Sequence, residues 1–406
     1  MEVLPSYSPE VLPGYDLTPA TTRSPPSTRP SSPTPFLARA RDHENYRYRS
    51  ERMELDLGPR RWGTRLPAYG KFGQVEGTVK VHSFGHVERI VVRLIGKLHA
   101  SHVVNHIPTL SQSQYIINKE TELWSAKAPS ASVWAEDSQF PFSFTLDKEI
   151  EGAEATSIPP SATIQLHRAS ARIAYAIRVD MYRRGLHMHE TVQTEILHLP
   201  RTVTHYSRPF IPELGNEKRP SISESEWNHS QLQRNLSKGS KIQSDSGCQK
   251  APELLLPRDL RFPSGEDIPF ILSIPETPES KPRVEIQLVR LSTVQTRAGA
   301  IQQAKIISQG RIQGHSGSEP SPPIVQGKIS TGEAEKDVSW SFGALVSVSY
   351  EIRIVLSFPA PRCVWKLTQP IELTSHEWRG EQSAMMPSLG SNSASRTTVN
   401  LINMNI

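Results

Sequence analysis

His187, His189 and Glu190, with His198 farther on, are the residues whose types most invite chemistry, since imidazoles and carboxylates are ready zinc ligands. A zinc-protease helix sets its histidines four apart around a glutamate. Here the two histidines alternate just after Arg183-Arg184-Gly185, so they share one face of a strand end. That pattern reads as an exposed hairpin. Gly314-His315-Ser316-Gly317-Ser318 falls one residue short of a nucleophile elbow and lies in a Gly/Ser loop. Gly327-Lys328 lacks both the upstream glycine and the following Ser/Thr of a phosphate loop. No pair of carboxylates stands out for acid–base work. The expectation is a protein that is not an enzyme, with no catalytic residue, no metal ligand and no cofactor.

A different pattern repeats three times. Leu4-Pro5-Ser6-Tyr7, Leu12-Pro13-Gly14-Tyr15 and Leu66-Pro67-Ala68-Tyr69 all read Leu-Pro-x-Tyr. Proline fixes φ near the polyproline II value, which pre-orders a segment for an aromatic-lined groove. The tyrosine can bury its ring there and still present its hydroxyl to a partner. This is the chemistry of a WW-domain ligand, with Leu4, Pro5, Tyr7, Leu12, Pro13 and Tyr15 as the contact residues. Two copies in one leader raise avidity. Tyr69 stands just before the first strand of the folded part and reads as a structural lead-in.

Composition narrows the class. At 406 residues, with 34 prolines and only 36% hydrophobic residues, the chain is long enough for two domains plus tails. The net charge of +5 is mild and no dense Lys/Arg block carries interleaved aromatics, which argues against nucleic-acid binding. Cys248 and Cys363 are the only cysteines and lie far apart, as expected in a reducing compartment. There is no basic start followed by an apolar run, and no stretch reaches the roughly 18 to 20 apolar residues of a membrane span. A soluble intracellular protein is expected.

Periodicity then divides the chain. Residues 1–52 form a Pro/Ser-rich leader expected to lack a core. Over 53–200 the period is two. Val79-Lys80-Val81 follow Gly77, Ile90 to Ile95 close at Gly96, and Phe140, Phe142 and Phe144 alternate with polar or proline residues. Ile173, Tyr175, Ile177, Val179 and Met181 alternate with Arg172, Ala174, Ala176, Arg178 and Asp180. Side chains two apart share a strand face, so each run predicts one apolar and one wetter face. Residues 201–251 are polar and read as a flexible linker or insertion. Alternation returns over 252–375, where Val346, Val348, Tyr350, Ile352, Ile354 and Leu356 make the longest apolar stripe. Residues 376–406 read as a mostly disordered tail. The predicted class is all-β, two consecutive immunoglobulin-like β-sandwich lobes.

These elements, in this order, resemble the arrestin-like proteins of fungi, the α-arrestins. The resemblance covers roughly Leu66 to Thr374. It rests on Val75-Glu76-Gly77-Thr78-Val79, Val92-Arg93-Leu94-Ile95-Gly96, Gln139-Phe140-Pro141-Phe142-Ser143-Phe144, Ile158-Pro159-Pro160-Ser161 and Ile173-Ala174-Tyr175-Ala176-Ile177-Arg178-Val179. In the second half it rests on Ser339-Trp340 and Val346-Ser347-Val348-Ser349-Tyr350-Glu351-Ile352. The resemblance implies an arrestin fold and a trafficking adaptor that links membrane-protein cargo to a HECT-type ubiquitin ligase for endocytosis and sorting. On it, Tyr7 and Tyr15 contact the ligase WW domains. Arg183 and Arg184 contact acidic cytoplasmic tails of transporters or receptors, or lipid. It further implies a cytoplasmic protein, transiently at the plasma membrane or endosomes with peripheral membrane association. The chain departs from the family pattern in lacking Pro-Pro-x-Tyr and in placing its motifs before the lobes. The alternative is an arrestin-fold scaffold in vesicle sorting or signalling that recruits no ligase.

Overall fold

The computed structural model describes residues 45–105, 107–127, 138–146, 157–185, 189–205, 209, 211, 225–234, 250–274, 282–316, 324–359 and 363–389. Alternating apolar residues build the first strands: β1 (Asn45–Arg49), β2 (Met53–Pro59), β3 (Ala68–Tyr69), β4 (Gln74–Val81) and β5 (Val87–Val104). They continue as β6 (Ile107–Ser125), β7 (Ser138–Thr145), β8 (Ala162–Gln165), β9 (Ala169–Arg183) and β10 (Glu190–His198). Two sheets result. One has the order β1-β2-β4-β7; the other runs β3-β10-β9-β5-β6, with β8 added to β9. Met53, Leu55, Val79 and Phe142 of the first and Val92, Leu94, Ile177 and Val179 of the second belong to one buried cluster.

The second half repeats the plan. Its strands are β11 (Val203–Thr204), β12 (Trp227–Gln231), β13 (Gln233–Arg234), β14 (Glu253–Pro257), β15 (Arg261–Pro263) and β16 (Asp267–Ser273). Next come β17 (Arg283–Thr296), β18 (Gly299–Gln309), β19 (Arg311–Ser316), β20 (Ile324–Ser330) and β21 (Trp340–Phe342). The chain ends its described part with β22 (Val346–Phe358), β23 (Cys363–Thr374), β24 (His376–Glu377) and the helix α1 (Glu381–Met385). One sheet has the order β12-β14-β16-β20-β19; the other is built on β13-β23-β22-β17-β18. Every residue of the predicted Val346-to-Leu356 stripe is buried. The described chain is thus an all-β, sandwich-like assembly of several sheets. Among its described residues no helix is long and apolar enough to cross a membrane.

The boundaries differ from the periodicity in three places. Among the described residues strand pairing already includes Asn45, inside the segment read as leader, because β1 pairs with β2 and buries Tyr46. The stretch read as linker supplies β11, β12 and β13. There Trp227 packs with Leu255, Ile271 and Ile324, so one aromatic anchors an otherwise polar edge strand. The stretch read as tail supplies β24 and α1. β24 pairs with β11, Arg201 donates to the carbonyls of Ser383 and Pro387, and Ser388 N donates to Leu199 O. A β-carbon built on Gly70 would lie 2.1 Å from Met385 O, so only glycine admits this returning segment.

Strands also run through glycines that the sequence suggests as strand ends. β5 continues past Gly96 to Val104, and β4 includes Gly77. Gly96 lies opposite Tyr175, Gly77 opposite Phe142 and Gly327 opposite Phe270. A β-carbon built on each would come within 2.7 Å of that ring. The cross-strand aromatic fills the missing side chain's place, which removes most of the usual packing penalty for glycine in a strand.

The Ile158-Pro159-Pro160-Ser161 motif has a matching explanation. Pro159 O accepts from Tyr175 Oη (2.7 Å) and from His198 Nδ1 (3.1 Å). The backbone N–H of His198 donates to Ser161 Oγ (2.9 Å), and Ser161 N donates to His198 O (2.7 Å). Burial pushes the His198 pKa down to about 4, partly opposed by its bond to Pro159 O. The folded imidazole therefore stays neutral until about pH 4, whereas the unfolded one protonates near its ordinary value of 6.5. Between those values the unfolded chain binds the extra proton. Stability from this group is complete above pH 6.5 and falls as pH drops towards 4, by about 3 kcal/mol in all. Urea titrations at about pH 7 and about pH 4.5 should show a smaller pH-dependent loss for His198→Gln than for the parent chain. An identical loss in both would remove His198 from the account.

Candidate functional site

Alternation decides which side chains leave the core. With Ile177, Val179 and Met181 of β9 pointing inward, Arg178, Asp180 and Tyr182 point out. The antiparallel register places Arg93 of β5 opposite Arg178, Arg89 opposite Tyr182, and Thr191 of β10 opposite Asp180. On the far side, Glu120 of β6 lies opposite Arg93. Four strands therefore deliver one polar cluster to the outer face of the sheet.

Asp180 is its centre and has no exposed surface. Its Oδ1 accepts from Thr191 Oγ1 (2.7 Å), Arg178 Nε (2.9 Å) and His189 Nε2 (3.0 Å). Its Oδ2 accepts from Arg93 Nη1 (2.8 Å). Arg93 also donates to Glu120 Oε2 (2.7 Å) and to Tyr182 Oη (3.2 Å). The Arg89 guanidinium lies over the Tyr182 ring at 4.6 Å, and the His189 ring packs on that ring with centroids 4.6 Å apart. Burial alone would raise the Asp180 pKa. Hydrogen bonds from Thr191, Arg178 and His189 outweigh it and hold the group below the ordinary carboxylate range. Hydrogen bonds to Glu120 and Tyr182 push the Arg93 pKa up.

The chemistry available is recognition. Arg89, Arg93 and Arg178 stand against Asp180 and Glu120, and each arginine side chain stays partly exposed. Planar guanidinium groups held by a carboxylate beneath them are pre-ordered to accept a second anion from above. A separate open groove of about 1380 Å³ lies over the β1-β2-β4-β7 sheet, with Met385 to Pro387 in its lining. Two of its arginines are paired internally, Arg47 with Asp56 at 2.9 Å and Arg49 with Glu54 at 2.7 Å.

The expected site residues fall unevenly. Leu4, Pro5, Tyr7, Leu12, Pro13 and Tyr15 lie outside the described residues. Arg183 and Arg184 sit where β9 ends. Arg183 Nε donates to Gly85 O (3.1 Å) and Arg184 N to His86 O (2.7 Å), so the first is partly engaged by backbone and the second is exposed. Arg89, Arg93 and Arg178, not singled out from the sequence as binding residues, form the denser array beside them. For Arg93 and Arg178 the signal was present: a charged residue inside the apolar runs Ile90-to-Ile95 and Ile177-to-Met181. His189, one of the histidines considered for metal, binds Asp180, and among the described residues no cluster suits a metal ion. Tyr69 lies in β3, paired in parallel with β10, and its pKa is raised by burial. His315 is in β19 and Gly327-Lys328 in β20. Neither a protein-family model nor a curated protein matches the chain.

Removing Asp180 leaves two guanidinium groups facing each other across a partly dry surface. Asp180→Ala should therefore destabilise the fold by about 3 kcal/mol or more in urea unfolding. A loss below about 1 kcal/mol would mean that solvent already screens the cluster.

Proposed function

We propose that the chain is a non-enzymatic, arrestin-like adaptor that links membrane-protein cargo to a HECT-type ubiquitin ligase. On this reading the β1–β10 sheets are the N-lobe, the β12–β23 sheets are the C-lobe, and the leader is the ligase arm. The observation that carries it is the doubled Leu-Pro-x-Tyr motif at residues 4–7 and 12–15, ahead of a sandwich-like body. Both motifs lie within one short leader, so two WW domains of a single ligase can be engaged together. The outer-face arginines Arg89, Arg93 and Arg178, with Arg183 and Arg184 at the strand end, suit an acidic cytoplasmic tail. Tethering a ligase beside cargo lysines turns a bimolecular encounter into a local one. The protein then works in the cytoplasm and visits the plasma membrane or endosomes with its cargo.

The test is a titration of the residue 1–20 peptide against WW domains of a HECT ligase. Micromolar binding is expected, with loss of at least tenfold in the Tyr7→Ala/Tyr15→Ala peptide. Absence of binding, or binding indifferent to both tyrosines, would leave the alternative of a scaffold whose partners sit on its sheets.

A further inference from the structure

The β5–β6 hairpin ends in an apolar tip that the adaptor reading does not use. Val104, Ile107 and Leu110 are all exposed there, Ile107 at 65%, and Tyr115 is exposed farther back along β6, opposite Lys97. Val104 and Ile107 are directly opposite in the register, so their side chains lie side by side on one face. This is a dense grouping of exposed large apolar side chains for a stretch of a dozen residues, and isolated exposure needs no explanation whereas grouping does.

Charge gives the tip its second property. From Leu94 to Lys119 the sequence contains no Asp and no Glu, while Lys97, His99, His102 and Lys119 lie within it. The Lys97 ammonium is 4.6 Å from the centroid of the Tyr115 ring, and His99 is exposed on the same strand. No carboxylate of the hairpin tip would have to be desolvated on entering an apolar layer, and none would repel an anionic surface.

The tip is also held in shape. Val103 N donates to Arg168 O (2.8 Å), Thr109 Oγ1 to His102 O (3.1 Å), and Gln112 Nε2 to Gln295 O (2.9 Å) in the second half. β6 pairs only with β5, which leaves its outer edge uncovered within the described sheet. Pro108 has no N–H to offer an added strand, so this end of the edge is a poor template for a peptide.

We propose that the exposed Val104, Ile107 and Leu110 side chains form a membrane-insertion wedge for an anionic bilayer. Its aliphatic side chains enter the headgroup–acyl boundary. Arg168, exposed beside the tip, meets lipid phosphates or carboxylates, while Lys97 and Tyr115, seven residue pairs back along the hairpin, stay outside the acyl layer. The inference stands apart from the adaptor reading, since neither cargo nor ligase enters it.

The test is flotation of the full chain with vesicles of phosphatidylcholine alone or of phosphatidylcholine doped with phosphatidylserine. The expected result is co-flotation with the doped vesicles, weak association with the neutral ones, and at least tenfold weaker binding for Ile107→Asp/Leu110→Asp. Ile107→Trp should strengthen binding severalfold, which decides the matter even where the double variant folds poorly. Absence of vesicle binding by the parent chain would overturn the proposal. So would a double variant, folded by circular dichroism, that floats as well as the parent. Equal flotation with neutral vesicles would overturn the electrostatic part. Capture of a protein through the tip with no vesicle binding would reassign the surface to a protein partner.

Discussion

The register between β5 and β9 is the constraint on which the rest of the first half depends. Val92 lies against Val179 and Leu94 against Ile177, both pairs buried, and that pairing necessarily sets Arg93 against Arg178 on the other face. Because the side-chain period is two, a slip of one residue would send the arginines and Asp180 into the core. The core and the charged face are therefore one decision. Once two guanidinium groups are forced side by side, the carboxylate of Asp180 must lie between them, and its burial requires the further donors of Thr191 and His189. The outer face is ordered because the inner one is.

A second constraint joins the two halves. β24 pairs with β11, Arg201 holds two carbonyls of the returning segment, and Met385 lies so close to Gly70 that no side chain fits there. Gln112 and His167 add hydrogen bonds to Gln295 and Gln303. The buried cluster includes residues from all four large sheets. Residues 375–388 are in this respect structural, and the polar stretch after Pro200 is held at its start by them.

Much of this was legible in the sequence, and the failures have physical reasons. Long stripes such as Ile173-to-Met181 and Val346-to-Leu356 declare a strand because each has one wholly apolar face. Gly77 and Gly96 read as punctuation because a glycine carries no sign of the ring that will cover it; Phe142 and Tyr175 lie far along the chain. Trp227 was one aromatic in a polar run, and its burial depends on Leu255, Ile271 and Ile324. β24 and α1 carry too few apolar residues to show a period, and their placement comes from backbone contacts. The polar cluster was half legible. Arg93 and Arg178 stand out in apolar runs, but the burial of Asp180 depends on partners from β5 and β10 that only the register supplies. Arg183 and Arg184 were conspicuous because they are adjacent, and adjacency sends neighbouring strand residues to opposite faces.

The functional claim joins a leader motif to a folded body, so the decisive measurement must need both at once. A reconstituted reaction would contain the full chain, a HECT-type ligase with its ubiquitin cascade, and a membrane protein bearing an acidic cytoplasmic tail. The account predicts that the chain accelerates ubiquitin transfer to that tail and that Tyr7→Ala/Tyr15→Ala abolishes the acceleration. Acceleration undiminished by the double substitution, or none with any ligase whose WW domains bind the leader, would contradict it.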